Sequence, residues 1–128
     1  MPSKIPITPD PFDYTIFWQK IELRLLKVDI ETAVIYYRKS TRRSWSILQP
    51  FYDHGGYAFV RVQHQNQRKA IAVSRLVWMV ANEQYSIPEG FDVDHLDTDV
   101  TNNHFLNLEL KPSSINRRNS TSFGAESF

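Results

Sequence analysis

The sequence predicts a single-domain α+β fold: an N-terminal helix and a small antiparallel β-sheet with a second helix, followed by a strand, loop, strand and helix. Three patterns predict it. Apolar residues recur at helical spacing after Tyr14, strand-like runs flank a polar stretch at 63–68, and two short apolar runs bracket the polar loop after His95.

Taken in order, Pro2, Pro6, Pro9 and Pro11 make the first dozen residues an extended arm (1–12). Phe17, Trp18, Ile21, Leu25 and Val28 then line one face of a helix expected from about 12 to 28. Thr32 to Arg38, rich in β-branched and aromatic residues, reads as a strand; a basic turn and a short apolar piece from Trp45 to Leu48 follow. Gly55-Gly56 punctuates the chain before two strands, Tyr57 to Val62 and Lys69 to Val73, joined as a hairpin through Gln63 to Arg68. Ser74 is placed to cap a helix that carries Leu76, Val77, Val80 and Ala81 on one face. Pro88 and Gly90 close this unit, 13–90. Residues 91–119 form the next unit, with a second strand from Asn107 to Leu110 and a helix from about Ser113, and 120–128 read as a loose tail.

Composition narrows the class. At 128 residues with 41% hydrophobic and 13% aromatic content, the chain can bury one core. It has no cysteine, which removes disulfides and thiolate metal sites. No apolar run approaches the length of a bilayer span, so no membrane partner is expected and an intracellular setting fits. The net charge of +1 is too small to signal nucleic acid by itself. Its distribution is more telling: Arg38, Lys39, Arg42 and Arg43 crowd one stretch and Lys111, Arg117 and Arg118 another, with Asp92, Asp94, Asp97 and Asp99 between them.

The chemistry is concentrated after Phe91. Asp94 offers an anionic oxygen, Asn116 a neutral amide oxygen, and His95 an imidazole whose ordinary pKa of about 6.5 suits proton transfer near neutrality. Phosphodiester hydrolysis needs a polarised phosphate and a deprotonated water, and one divalent cation with one base supplies both. Oxygen ligands favour a hard ion, Mg²⁺ or Mn²⁺, one per site. Successive residues of a regular strand face opposite ways, so joint action of Asp94 and His95 requires a bend or a strand end there.

Asp94-His95, Asn107 twelve residues after the histidine and Asn116 nine later resemble the HNH endonuclease motif in its His-Asn-Asn form, typical of phage and intron-encoded homing-type enzymes. The resemblance covers roughly 20–119 and is closest after Phe91. It implies a ββα-metal motif over 91–119, and metal-dependent hydrolysis of DNA, by nicking or double-strand cutting, to 5′-phosphate and 3′-hydroxyl ends. It also implies a phage-encoded protein acting in the host cytoplasm. By the same resemblance His95 is the general base, Asp94 and Asn116 are metal ligands, and Asn107 pins the loop to the hairpin and orients the histidine. Asn119, one helical turn past Asn116, is expected to support the site or touch phosphate.

Arg117 and Arg118 share that helix and are expected on DNA with Lys111; Arg38, Lys39, Arg42 and Arg43 are read either as a phosphate-binding edge or as a charged loop without an aromatic platform. Asn102 and Asn103 are read as loop formers, His54, His64 and His104 as without chemistry apart from a minor DNA contact left open for His104, and Trp18, Trp45 and Trp78 as packing residues. The chain departs from the family at Ser74, where a histidine is common, at Pro112, where a threonine is common and where proline would suit the first turn of a helix, and at Ala33, where a glycine is common. A second functional reading follows from Ser74: the same scaffold binding DNA without cutting it.

Overall fold

The computed structural model describes residues 10–113. Along the chain it places α1 (Thr15–Glu22), β1 (Leu26–Val28), β2 (Ile35–Tyr37), β3 (Ser46–Ile47), β4 (Phe51–Tyr52), β5 (Ala58–His64), β6 (Gln67–Ala72), α2 (Val73–Asn82), β7 (Phe91–His95), a 3₁₀ turn (Phe105–Asn107) and β8 (Leu108–Pro112). The strands form three small antiparallel sheets, β1-β2-β3, β4-β5-β6 and β7-β8, rather than one. No helix among the described residues is long and apolar enough to cross a membrane.

The first helix is shorter than its apolar periodicity suggests, because the chain leaves it through a left-handed residue. Arg24 has φ 62°, the Leu25 amide donates to the Lys20 carbonyl at 2.8 Å and the Arg24 amide to Ile21 at 3.0 Å. These two bonds make a Schellman close, and they free Leu26 to Val28 for a strand. The second helix ends in the same way: Glu83 has φ 54° and Gln84 donates to Met79 at 2.9 Å. Glycine, the usual residue for that conformation, stands at neither position. Arg24→Gly is therefore expected to raise stability by about 0.5–1 kcal/mol, read as a higher urea midpoint with an unchanged slope. Ala33, where the resemblance leads one to expect glycine, also sits at positive φ (61°), in the turn between β1 and β2. That turn takes up Thr32 to Val34, so the strand expected from Thr32 begins only at Ile35.

The central hairpin is longer than its apolar runs. Its turn is the pair Gln65-Asn66, with φ 49° and 67°, as a two-residue type I′ connection requires, and His64 pairs with Gln67 across it. Most of the polar stretch 63–68 is thus ladder rather than loop. Ala58, Val60 and Val62 point inward while Phe59, Arg61 and Gln63 face outward. The start of α2 also differs from expectation. Ala72 is its N-cap residue and Ser74, inside the first turn, is buried, so Ser74 does not cap the helix.

Phe17, Leu76, Val77, Met79 and Ile87 are wholly buried and draw α1, α2, β1, β2, β5 and β6 into one core, which Leu108 of β8 also enters. Of the face expected for α2, Leu76 and Val77 are buried, Val80 and Ala81 only partly, and Val73 and Met79 complete it. Pro112 closes β8 opposite Phe91 instead of opening a helix; Ser113 begins helical structure and the remainder of that expected helix lies outside the described residues.

Candidate active site

β7 and β8 pair in register through Val93–Leu110, Asp94–Glu109 and His95–Leu108. The strand runs straight through Asp94 and ends on His95, where the Thr98 amide returns to the His95 carbonyl at 3.1 Å and Thr98 takes φ 64°. The ladder stays in register through both residues and ends only after His95, so no bend separates the adjacent pair. Alternation sends their side chains to opposite faces. Asp94 opens to the side of Lys111 and Glu109; His95, only 5% exposed, turns toward the Leu108 side.

On the open side Lys111 Nζ lies 3.0 Å from Asp94 Oδ2 and 3.7 Å from Glu109 Oε2. The hydrogen bond and charge of Asp94 hold the Lys111 ammonium above its usual range. Lys111, expected on DNA, spends its charge here on the candidate metal ligand. Asp92, on the same face, meets Arg75 at 3.5 Å. Arg75 also reaches Asp10 at 2.9 Å and the Tyr14 hydroxyl at 2.8 Å, tying β7 to the entry of α1.

On the buried side His95 Nε2 lies 2.7 Å from Asn103 Oδ1, both residues being nearly closed to solvent. The Tyr57 ring stands beside the imidazole at 6.0 Å between centroids. Asn103, read from the sequence as a loop former, does lie in the loop and in addition makes this contact. It joins residues eight apart across an irregular loop, a separation that no helical or strand period marks.

The loop from Leu96 to His104 is built around Asp97 and Asn107. Asn107 Oδ1 accepts from the Asp97 amide at 3.1 Å, and its Nδ2 donates to Asp97 Oδ1 at 2.9 Å and to the Asn102 carbonyl at 2.8 Å. The Leu96 amide adds a bond to the Asn107 carbonyl at 2.8 Å. Asn107 thus fastens loop to hairpin, while the histidine's own hydrogen bond goes to Asn103. Asn102 Nδ2 donates to Asp97 Oδ2 at 2.8 Å. That bond first, then the Asp99 amide and Asn107, pull the Asp97 pKa below its ordinary value, so the carboxylate keeps its charge, and with it these bonds, into the acidic range. His104 accepts from the Leu106 amide at 3.1 Å, a local cap on the 3₁₀ turn.

The basic stretch is more structured than expected. Arg38 donates to the Arg24 carbonyl at 2.9 Å and the Arg43 carbonyl at 3.3 Å, and its guanidinium lies 4.0 Å from the Trp45 ring centre. Lys27 covers the same ring at 4.6 Å, so an aromatic platform does stand among these cations, and Arg38 is held on it. Lys39, Arg42 and Arg43 are exposed and form no salt bridge among the described residues. Asn116, Arg117, Arg118 and Asn119 lie outside the described residues.

Comparison with known proteins adds two findings. Residues 72–118 match the HNH endonuclease family model, a span that takes in α2, the hairpin and the loop. Among solved structures, that reported for DNA binding and cleavage by the HNH homing endonuclease I-HmuI shares 27% identity and superposes with a TM-score of 0.58, covering 80% of this chain. This chain spans only 55% of that protein's length. No curated protein matches the chain. The resemblance to HNH endonucleases read from the motif is thereby borne out.

Proposed function

From that kinship with HNH endonucleases over residues 72–118, we propose that the protein hydrolyses DNA phosphodiester bonds at the end of β7, with His95 as general base and one divalent cation held by Asp94 and Asn116. The observation that carries the reading is His95 on a fixed hydrogen bond at the end of a hairpin whose other face presents Asp94 with a cation already on it. The Lys111 ammonium at 3.0 Å from this carboxylate supports the reading, since a positive charge already sits beside it. Its oxygen donors suit Mg²⁺ or Mn²⁺, which bind through one or two protein oxygens and leave the rest to water and phosphate. No three His, Cys, Asp or Glu side chains converge among the described residues, and a site of this sparse kind needs no such cage.

When bound, the ion polarises the phosphate and steadies the charge on the departing oxygen. The chain's own part is proton transfer and positioning. His95 takes a proton from a water whose oxygen attacks phosphorus; the bond to the 3′ oxygen breaks, and that oxygen is protonated from solvent. The ends produced are a 5′-phosphate and a 3′-hydroxyl. Asn107, by locking loop to hairpin, keeps His95 at the strand end, and the scissile phosphate would lie across that end, between the Asp94 and His95 faces. Arg117 and Arg118 are proposed to contact the DNA and Asn119 to support the site beside Asn116. Lys39, Arg42 and Arg43, free of salt bridges among the described residues, are the better candidates of their stretch for DNA phosphates, and Arg38 serves as their support.

Supercoiled plasmid incubated with the protein and Mg²⁺ or Mn²⁺ is expected to become nicked or linear, and to stay intact in EDTA. Intact plasmid with every metal, from protein shown to be folded, would instead favour the second reading, a scaffold that binds DNA without cutting it; the serine at position 74 where a histidine is common is what favours that alternative.

A further inference from the structure

We propose that Asn103 is the positioning residue of His95: its side-chain oxygen holds the imidazole proton on Nε2 and so leaves Nδ1 as the lone pair that takes the proton from water. The inference rests on the nuclease reading and assigns a role to a residue outside the His-Asn-Asn triplet. Nε2 and Oδ1 are 2.7 Å apart, with His95 5% and Asn103 7% exposed, so water competes poorly for either atom. A neutral imidazole carries one proton, and an acceptor fixed on one ring nitrogen decides which nitrogen keeps it. No hydrogen bond reaches Nδ1 among the described residues, which leaves that nitrogen for chemistry.

The amide is itself held from both sides along the chain. Asn102 is fastened to Asp97, and the His104 amide donates to Asn102 Oδ1 at 3.3 Å. His104 in turn caps the 3₁₀ turn that carries Asn107. The network around Asp97 and Asn107 therefore reaches the histidine through Asn103. Asn107 sets where the loop lies, and Asn103 sets which nitrogen of the base is free.

The test is a two-bond proton–nitrogen NMR spectrum of the full chain, labelled with ¹⁵N-histidine and recorded near pH 8, with the His95 signals assigned by their loss in His95→Gln. The wild-type protein is expected to hold His95 as the Nε2–H tautomer. Asn103→Leu is expected to give a mixture of tautomers and to lower kcat about tenfold to a hundredfold, with KM for DNA changed less than about twofold. Asn103→Asp keeps an acceptor oxygen and should restore both the Nε2–H tautomer and most of the rate. A wild-type His95 protonated on Nδ1, or a folded Asn103→Leu protein with tautomer and kcat unchanged, overturns the proposal. If Asn103→Leu does not fold, the wild-type tautomer and the Asn103→Asp protein decide. Should the wild-type protein cut no DNA, the nuclease reading fails, while the tautomer still reports separately on the Asn103 contact.

Discussion

His95→Gln is expected to lower the rate of metal-supported plasmid cleavage by about a hundredfold to ten-thousandfold, the range that loss of a general base commonly gives. Glutamine can keep a donor toward Asn103 and fills much of the imidazole's space, so the loss should appear in kcat with little change in DNA affinity. His95→Ala should cut activity as deeply, but it also removes a buried ring and leaves Asn103 Oδ1 without its partner, so it should melt lower as well. Cleavage by a folded His95→Gln protein within about threefold of wild type would remove His95 from the chemistry. Gel-shift titration of the same proteins separates the two functional readings, because a base variant that has stopped cutting still binds DNA, with an affinity that falls as salt rises.

The largest effect on stability is expected at Phe17. Its ring is 0% exposed and lies within the cluster formed by Leu26, Val60, Val62 and Leu76, so Phe17→Ala removes buried contacts and leaves a cavity. Such a change costs about 3–5 kcal/mol, a large part of the total stability of a domain this size. Urea unfolding should show an unfolding free energy lowered by that amount, or a chain already unfolded in water. The exposed Leu106, changed to alanine, gives the contrast: a shift within about 0.5 kcal/mol. A loss at Phe17 below about 1 kcal/mol would mean that α1 does not pack as described.

Elements whose residues carry a period were legible in the sequence. The β5–β6 hairpin, the helix holding Leu76 and Val77, and the strand ending at Asp94-His95 all follow from alternation or helical spacing. What escaped was set by backbone conformation at residues whose chemistry does not announce it. Arg24 and Glu83 end helices in a left-handed geometry that a glycine would have signalled, and Gln65-Asn66 makes a turn normally marked by Asn-Gly. The expected helix consequently ran six residues past its end at Glu22, over the strand Leu26–Val28. At the site, Asp94, His95 and Asn107 came from spacing within a motif. Asn103 could not, because its partner lies across a loop whose path depends on Asp97, Asn102 and Asn107 together. Trp45 was expected to pack between elements; its place between Lys27 and Arg38 depends on a pairing of β1, β2 and β3 that a linear reading does not contain.

The separate ladder of β7 and β8 has a consequence for how this chain can change. Among the described residues the hairpin shares no strand pairing with the two sheets of the body, and meets it through α2, through Leu108 in the core, through the Arg75 ion pairs, through Tyr57 beside His95 and through the Phe105 amide on the Ile30 carbonyl. Substitutions in its loop, from Leu96 to His104, are therefore expected to alter the proposed chemistry at the strand end while leaving the register of the other described strands in place. On the proposed function, heritable variation in activity and variation in foldability would fall on largely different sets of residues, so a lineage could tune, lose or regain the first while selection on the core maintains the second.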